Sequence, residues 1–281
     1  MLIDGSGPDA PIILSMVQRR GQSLIGLLVV VVIMLVMGVV MSNAINKRTT
    51  GAGSTSSGTI ASFKDKQYLS SIYQSMAAQS QLTGDGRFLV PSALTRRRDP
   101  ADDTTASLFS AMIVQHLVSP EQLYSGNEMS PYVRPDEDYD YMAYSPVDDV
   151  FWDPSFTANL SWDSNTSFAH IPLYGNRLRR MWQFTADSRM PLLGNRGPKD
   201  GVADPESWTY NRDGKWGGHI VFGDGHVEFI STFTITGVFF KSGTSNQPDN
   251  LYRMEQGADG LDVILAFTKE MTENGPVLQF D

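Results

Sequence analysis

The chain has 281 residues, 41% of them hydrophobic and 19% charged, which suffices for a packed core and argues against global disorder. Its formal net charge of -9 repels phosphate backbones, so no nucleic-acid partner is expected. With no cysteine, disulfides, thiolate metal sites and cysteine nucleophiles are all excluded.

Near the N-terminus, Gly21 to Asn46 carry no charge, and Leu24 to Met41 are almost entirely Leu, Ile, Val and Met. Eighteen such residues in a helix span about 27 Å, close to the thickness of a bilayer's hydrocarbon layer. A single transmembrane helix over residues 22–46 is the expectation. Arg19 and Arg20 precede it and Lys47 and Arg48 follow, so flanking charge alone does not orient it. A cleaved export signal ending at Ser42-Asn43-Ala44 is the competing reading, but the apolar run exceeds the roughly 7 to 15 residues usual for such signals. A buried core helix fits worse, because the run is apolar on every face.

Arg19-Arg20-Gly21-Gln22-Ser23-Leu24-Ile25-Gly26-Leu27-Leu28 resembles the processing site of type IV pilins and type II secretion pseudopilins. The resemblance implies a leader over residues 1–21, or from Met16. Prepilin peptidase would cut after Gly21, leaving Gln22 as a new, methylated N-terminus. Gln22 stands where the family usually has Phe or Met. Gly26 stands where most members have a glutamate that pairs, within the bilayer, with a neighbouring subunit's terminal amine. A glycine cannot supply that carboxylate, so the resemblance points to a minor or tip subunit rather than a shaft subunit.

Thr49 to Thr59 contain three glycines and no large apolar residue, so 47–59 read as a flexible linker and 60–281 as the folded domain. Leu69, Ile72, Tyr73 and Met76 then recur at helical spacing and form one apolar stripe suited to pack on a sheet. Gly84-Asp85-Gly86 ends that helix, and a second helical stretch is expected around Leu108 to Val118, before Pro120.

Tyr132 to Asp163 hold Asp136, Glu137, Asp138, Asp140, Asp148, Asp149, Asp153 and Asp163. Their spacing matches no calcium loop, so a solvated acidic loop is expected and no cofactor, with calcium as the alternative. The rings of Tyr139, Tyr141, Tyr144, Phe151, Trp152 and Trp162 are expected to dock this loop on the core.

His219 to Ile230 read as a hairpin with Asp224-Gly225 in a two-residue turn. That turn pairs Gly223 with His226, Phe222 with Val227 and Ile220 with Phe229. It places His219 and His226 on one face, roughly 13 Å apart at about 3.3 Å per residue, too far to share a metal at about 2 Å. Strands are also expected over Phe233 to Phe240 and Asp262 to Thr268, extending one antiparallel sheet.

Val221-Phe222-Gly223-Asp224-Gly225-His226-Val227-Glu228-Phe229 is similar to the C-terminal signature of the prepilin-type, processing-associated H-X9-DG proteins of planctomycetes and related bacteria. Asn211-Arg212-Asp213-Gly214, Met190 to Pro198 and Leu117 to Leu123 are weaker matches. The histidine ten residues before Asp224 is replaced by Gly214, and His219 takes the place of an Asn.

The fold expected is α+β: a transmembrane helix, then a pilin-like domain with a helix packed on an antiparallel sheet and long loops. The resemblance implies a non-enzymatic structural subunit in the inner membrane, N-terminus cytoplasmic and domain periplasmic. Its partners would be prepilin peptidase, other pseudopilins or inner-membrane secretion components, and the lipid bilayer. A membrane-anchored binding module that never polymerises is the second expectation. No Gly-x-Ser-x-Gly elbow, HExxH or phosphate loop is present to suggest a hydrolase.

Overall fold

A computed structural model of the chain describes residues 57–207 and 215–281. The expected leader, the processing pair Gly21 and Gln22, the membrane segment and Gly26 lie outside the described residues, as does Asn211 to Gly214. Among the described residues, no helix is long and apolar enough to cross a membrane.

The first element is helix α1, Ser57–Thr83, 27 residues and about 40 Å long. It starts inside the expected linker, whose last three residues are helical. The stripe read from spacing is the buried one: Leu69, Ile72, Tyr73 and Met76 are at most 4% exposed. The helix stops where Gly84 turns to a left-handed backbone and its amide returns to the Ser80 carbonyl.

A long excursion separates α1 from the main sheet. It contains the short helix α2, Pro91–Leu94, and helix α3, Thr105–Val114, whose Thr104 side chain caps the Ser107 amide. Leu108, Phe109, Met112 and Ile113 of α3 are buried in the same core as the α1 stripe. The second helix thus starts three residues earlier than its periodicity suggests and ends four earlier. Pro120 opens a single 3-10 turn instead.

The acidic tract has little regular structure beyond a two-residue ladder between β1, Ala158–Asn159, and β2, Asp163–Ser164. Of its six rings, Tyr139 is buried and its hydroxyl donates to the Ser110 carbonyl at 2.8 Å. Phe151 and Trp152 are half-buried. Tyr144 and Trp162 face solvent, Trp162 at 81% exposure, so these two do not dock the loop; Tyr141 is part-exposed but stacks on His116, ring centres 5.7 Å apart. Polar bonds add to the docking: buried Asp153 ties the tract to itself by accepting from the Asp140 and Ser155 amides, and its carbonyl accepts from the Ser110 hydroxyl at 3.1 Å.

The central sheet has four antiparallel strands in chain order: β3, Phe168–His170; β4, Pro191–Asn195; β5, Gly218–Phe222; and β6, Val227–Ile230. Helix α4, Gly175–Arg180, fills the crossing from β3 to β4. β4 and β5 are buried along their whole length, Asn195 and His219 included, so these two strands are covered on both faces. Helix α1 packs across β5 and β6.

The hairpin register differs from expectation by one residue. Val221 pairs with Val227 and His219 with Phe229. The Phe222 carbonyl accepts from the Gly225 amide at 2.8 Å, and the Phe222 amide donates to the His226 carbonyl at 3.1 Å. The loop is therefore three residues, Gly223-Asp224-Gly225. Only Gly225 has positive φ, so this is a type I turn followed by a bulge rather than a turn needing two such residues. The slip puts His219 and His226 on opposite faces.

Downstream strands do not extend this sheet as a ladder. β7, Thr234–Ser242, pairs with β8, Ser245–Asn250; β9, Phe267–Thr272, pairs with β10, Gly275–Gln279. A lone bridge between His170 and Ala266 joins the stretch before β9 to β3. The expected strand over Asp262 to Thr268 thus begins five residues later, because Asp262 to Leu265 serve burial and side-chain bonding instead.

The α1 stripe makes one direct test. Truncation of Ile72, wholly buried, to Ala should lower unfolding free energy by about 2–5 kcal/mol in urea titration. A loss below about 1 kcal/mol would show that the helix does not rest on the sheet.

Candidate functional site

The hairpin motif proves to be a latch between helix and sheet. The Tyr73 hydroxyl, on the buried stripe of α1, donates to the Gly223 carbonyl at 2.5 Å. A Cβ on Gly225 would lie 2.5 Å from the Tyr73 ring, at a φ of +85° where side chains are already disfavoured. His226 lies flat on Phe222, ring centres 4.3 Å apart and 4° from parallel, and its Nδ1 meets Asp224 Oδ1 at 2.5 Å. Asp224 also accepts from the His226 amide, and these bonds hold its pKa below the ordinary value against the opposing effect of burial. Asp224, Gly225 and His226 therefore shape the turn that Tyr73 grips.

The two buried histidines, His170 and His219, are held in structural roles. His170 Nε2 sits 2.9 Å from the Thr105 hydroxyl and its Nδ1 2.7 Å from the Ile171 carbonyl, while burial lowers its pKa to about 4. Burial, with Lys66 adding, lowers His219 likewise to about 4, and its ring packs edge-on against Phe229. Among the described residues, no group of three or more His, Asp or Glu is arranged to hold a metal.

A few charged side chains lie inside, where sequence reading did not place them. Arg196 reaches Glu128 with both terminal nitrogens and Asp281 with Nε, and these three side chains are at most 2% exposed. Arg177 and Asp262 form a pair with no exposure, and Arg177 also donates to the Gly257 and Ala258 carbonyls. On α1, buried Asp65 accepts from the Ser125 hydroxyl and the Gly126 amide, and burial raises its pKa despite those bonds. Asp249 and Glu255 sit beside the Arg177 pair, each with one buried oxygen that has no hydrogen-bond partner. Burial pushes both carboxyls up to about 7, Glu255 and Asp262 adding to Asp249, and Asp262 adding to Glu255.

On the surface, one cleft of about 240 Å³ lies between the stretch before α3 and the end of the acidic tract. Thr95, Arg97, Asp99, Asp102 and Ser107 form one wall; Asp149, Val150, Phe151, Trp152 and Pro154 form the other. Arg97 bridges the walls, 2.7 Å from Asp149. Asp99 caps the Ala101 amide, whereas the Asp102 carboxylate has no hydrogen bond or ion pair among the described residues. Of these aspartates only Asp149 was singled out in the sequence, within the acidic tract; its meeting with Asp99 and Asp102 across a cleft was not legible, because about fifty residues separate the walls.

Comparison with protein-family models, curated proteins and solved structures yields no match to this chain.

Two variants test these assignments. Gly225→Ala should cost about 2 kcal/mol or more in unfolding free energy, combining left-handed strain with collision against Tyr73; a neutral result would remove the latch. Asp249 and Glu255 are raised well above their ordinary 3.8 and 4.5, so the folded state holds their protons more tightly. Their stabilising contribution is complete below about pH 4 and is lost as pH climbs through 7. Asp249→Asn should make that decline shallower in thermal melts and stabilise the protein by about 1–3 kcal/mol at pH 8. A variant less stable than the parent at pH 8 would contradict this.

Proposed function

We propose that this chain is a pseudopilin-like structural subunit, held in the inner membrane by residues 22–46 and presenting its α+β domain outside the cytoplasm. Its activity is assembly, through lateral packing of helices in a filament-like or secretion complex. The observation that carries the reading is the long α1, with a single buried stripe, lying on an antiparallel meander joined in chain order. That is the arrangement implied by the resemblance at Gly21, Gln22 and the hairpin motif. The lack of a carboxylate at Gly26 favours a minor or tip position, where no further subunit needs pairing.

A second reading, an anchored binding module that does not polymerise, draws support from a specific feature. Trp162 stands almost fully exposed in the turn between β1 and β2, a position suited to contacting a partner rather than stabilising the fold.

N-terminal sequencing of the protein from native membranes tests the proposal. A mature chain beginning at Gln22, with its amine methylated, is expected, and Gly21 replacement should leave the leader attached. A chain beginning at Ile45 would mean a released protein and defeat both readings. Recovery of the Gln22 form as a monomer without other pseudopilins would favour the binding module.

A further inference from the structure

We propose that the cleft between Arg97 and Trp152 is a docking site for a basic side chain, arginine or lysine, of a protein partner. This holds whichever of the two readings above applies.

Charge selects the class of occupant. Three carboxylates, Asp99, Asp102 and Asp149, line the cleft against one guanidinium. The adjoining stretch from Met129 to Asp163 adds seven more acidic residues against the single Arg134, and outweighs Arg96 and Arg98, which flank Arg97 in the chain. Such a field draws cations in and repels nucleic acids and acidic glycans. Asp102 is only half-exposed yet has no side-chain partner among the described residues.

The chain itself shows how a cation sits there. The Arg97 side chain, 74% exposed, crosses the opening to Asp149. An ion pair so exposed contributes little stability, so an incoming guanidinium can displace it at small cost. Phe151 and Trp152 supply half-buried aromatic surface, against which the aliphatic stem packs and the cationic head gains ring attraction.

Size limits the occupant further. A volume of about 240 Å³ falls below the roughly 300–1,000 Å³ of pockets that enclose drug-sized ligands. It suits one long side chain presented by a surface. The exposed rings of Tyr141 and Tyr144 on the neighbouring tract offer that surface further apolar contact.

The test uses the full chain in a zwitterionic detergent and a blocked tri-arginine peptide, with blocked tri-citrulline as its uncharged isostere. Titration calorimetry at low salt should show tri-arginine binding at least 10-fold more tightly than tri-citrulline. Asp99→Asn with Asp102→Asn should weaken it about 10-fold; Asn caps a helix as well as Asp does, so the fold survives. The control pair Glu137→Gln with Asp138→Asn, on the acidic tract but outside the cleft, should weaken it less than about 3-fold. Arg97→Gln, an exposed change, should tighten binding about 2–5-fold by releasing Asp149. Four outcomes would overturn the proposal: no binding, equal affinity for tri-citrulline, equal losses in the two double variants, or no gain from Arg97→Gln. Should the cleft double variant melt early, Asp102→Asn alone gives the same reading at half the charge.

Discussion

The fold turns on the contact between one face of α1 and the hairpin of β5 and β6. A helix in a folded protein draws most of its stability from packing its apolar face, and for the 27-residue α1 that face is the single buried stripe. Leu69, Ile72 and Met76 supply non-directional burial, which by itself would let the helix slide along the sheet. Tyr73 removes that freedom. Its hydroxyl needs an acceptor once buried, the Gly223 carbonyl is one, and its ring fills the space that Gly225 leaves empty. The Asp224–His226 bond and the stacking of His226 on Phe222 keep the turn in the shape that Tyr73 meets. The hairpin motif is thus a device for position.

Around this contact, a large part of the chain is loop, and loops cannot bury a core unaided. Buried polar pins hold them instead. Asp65 fastens α1 to Ser125 and Gly126; Glu128, two residues on, grips Arg196 just beyond β4; and Arg196 in turn holds Asp281. Arg177 holds the Gly257 to Asp262 loop through carbonyls and a carboxylate. Charges without exposure cost desolvation, and pairing only offsets that cost. What the pairs contribute is a unique arrangement, since an apolar residue in their place would tolerate several. At Asp249 and Glu255 compensation is incomplete, and protonation takes the place of a missing partner.

The same economy leaves the outer surface free for contact. The acidic tract is pinned by few internal residues, Tyr139 and Asp153 chief among them, while most of its carboxylates and several rings face outward. On the proposed reading, a subunit that works by association has such a surface on one side and a packed core on the other.

Sequence alone determined the elements whose signal is local. The α1 stripe, its end at Gly84, a helix before Pro120 and a hairpin centred on Asp224-Gly225 all follow from spacing and turn chemistry within a dozen residues. The hairpin register did not follow, because a two-residue and a three-residue loop both suit Asp-Gly and differ only in what each face must bury. Here Tyr73, some 150 residues earlier, decided it. Tertiary structure alone likewise decided the partners of Arg196 and Arg177, the split of the later strands into separate ribbons, and the meeting of Arg97 with Asp149. Each depends on groups far apart in the chain whose attraction exists only once the core has brought them together, and no periodicity in one dimension encodes that.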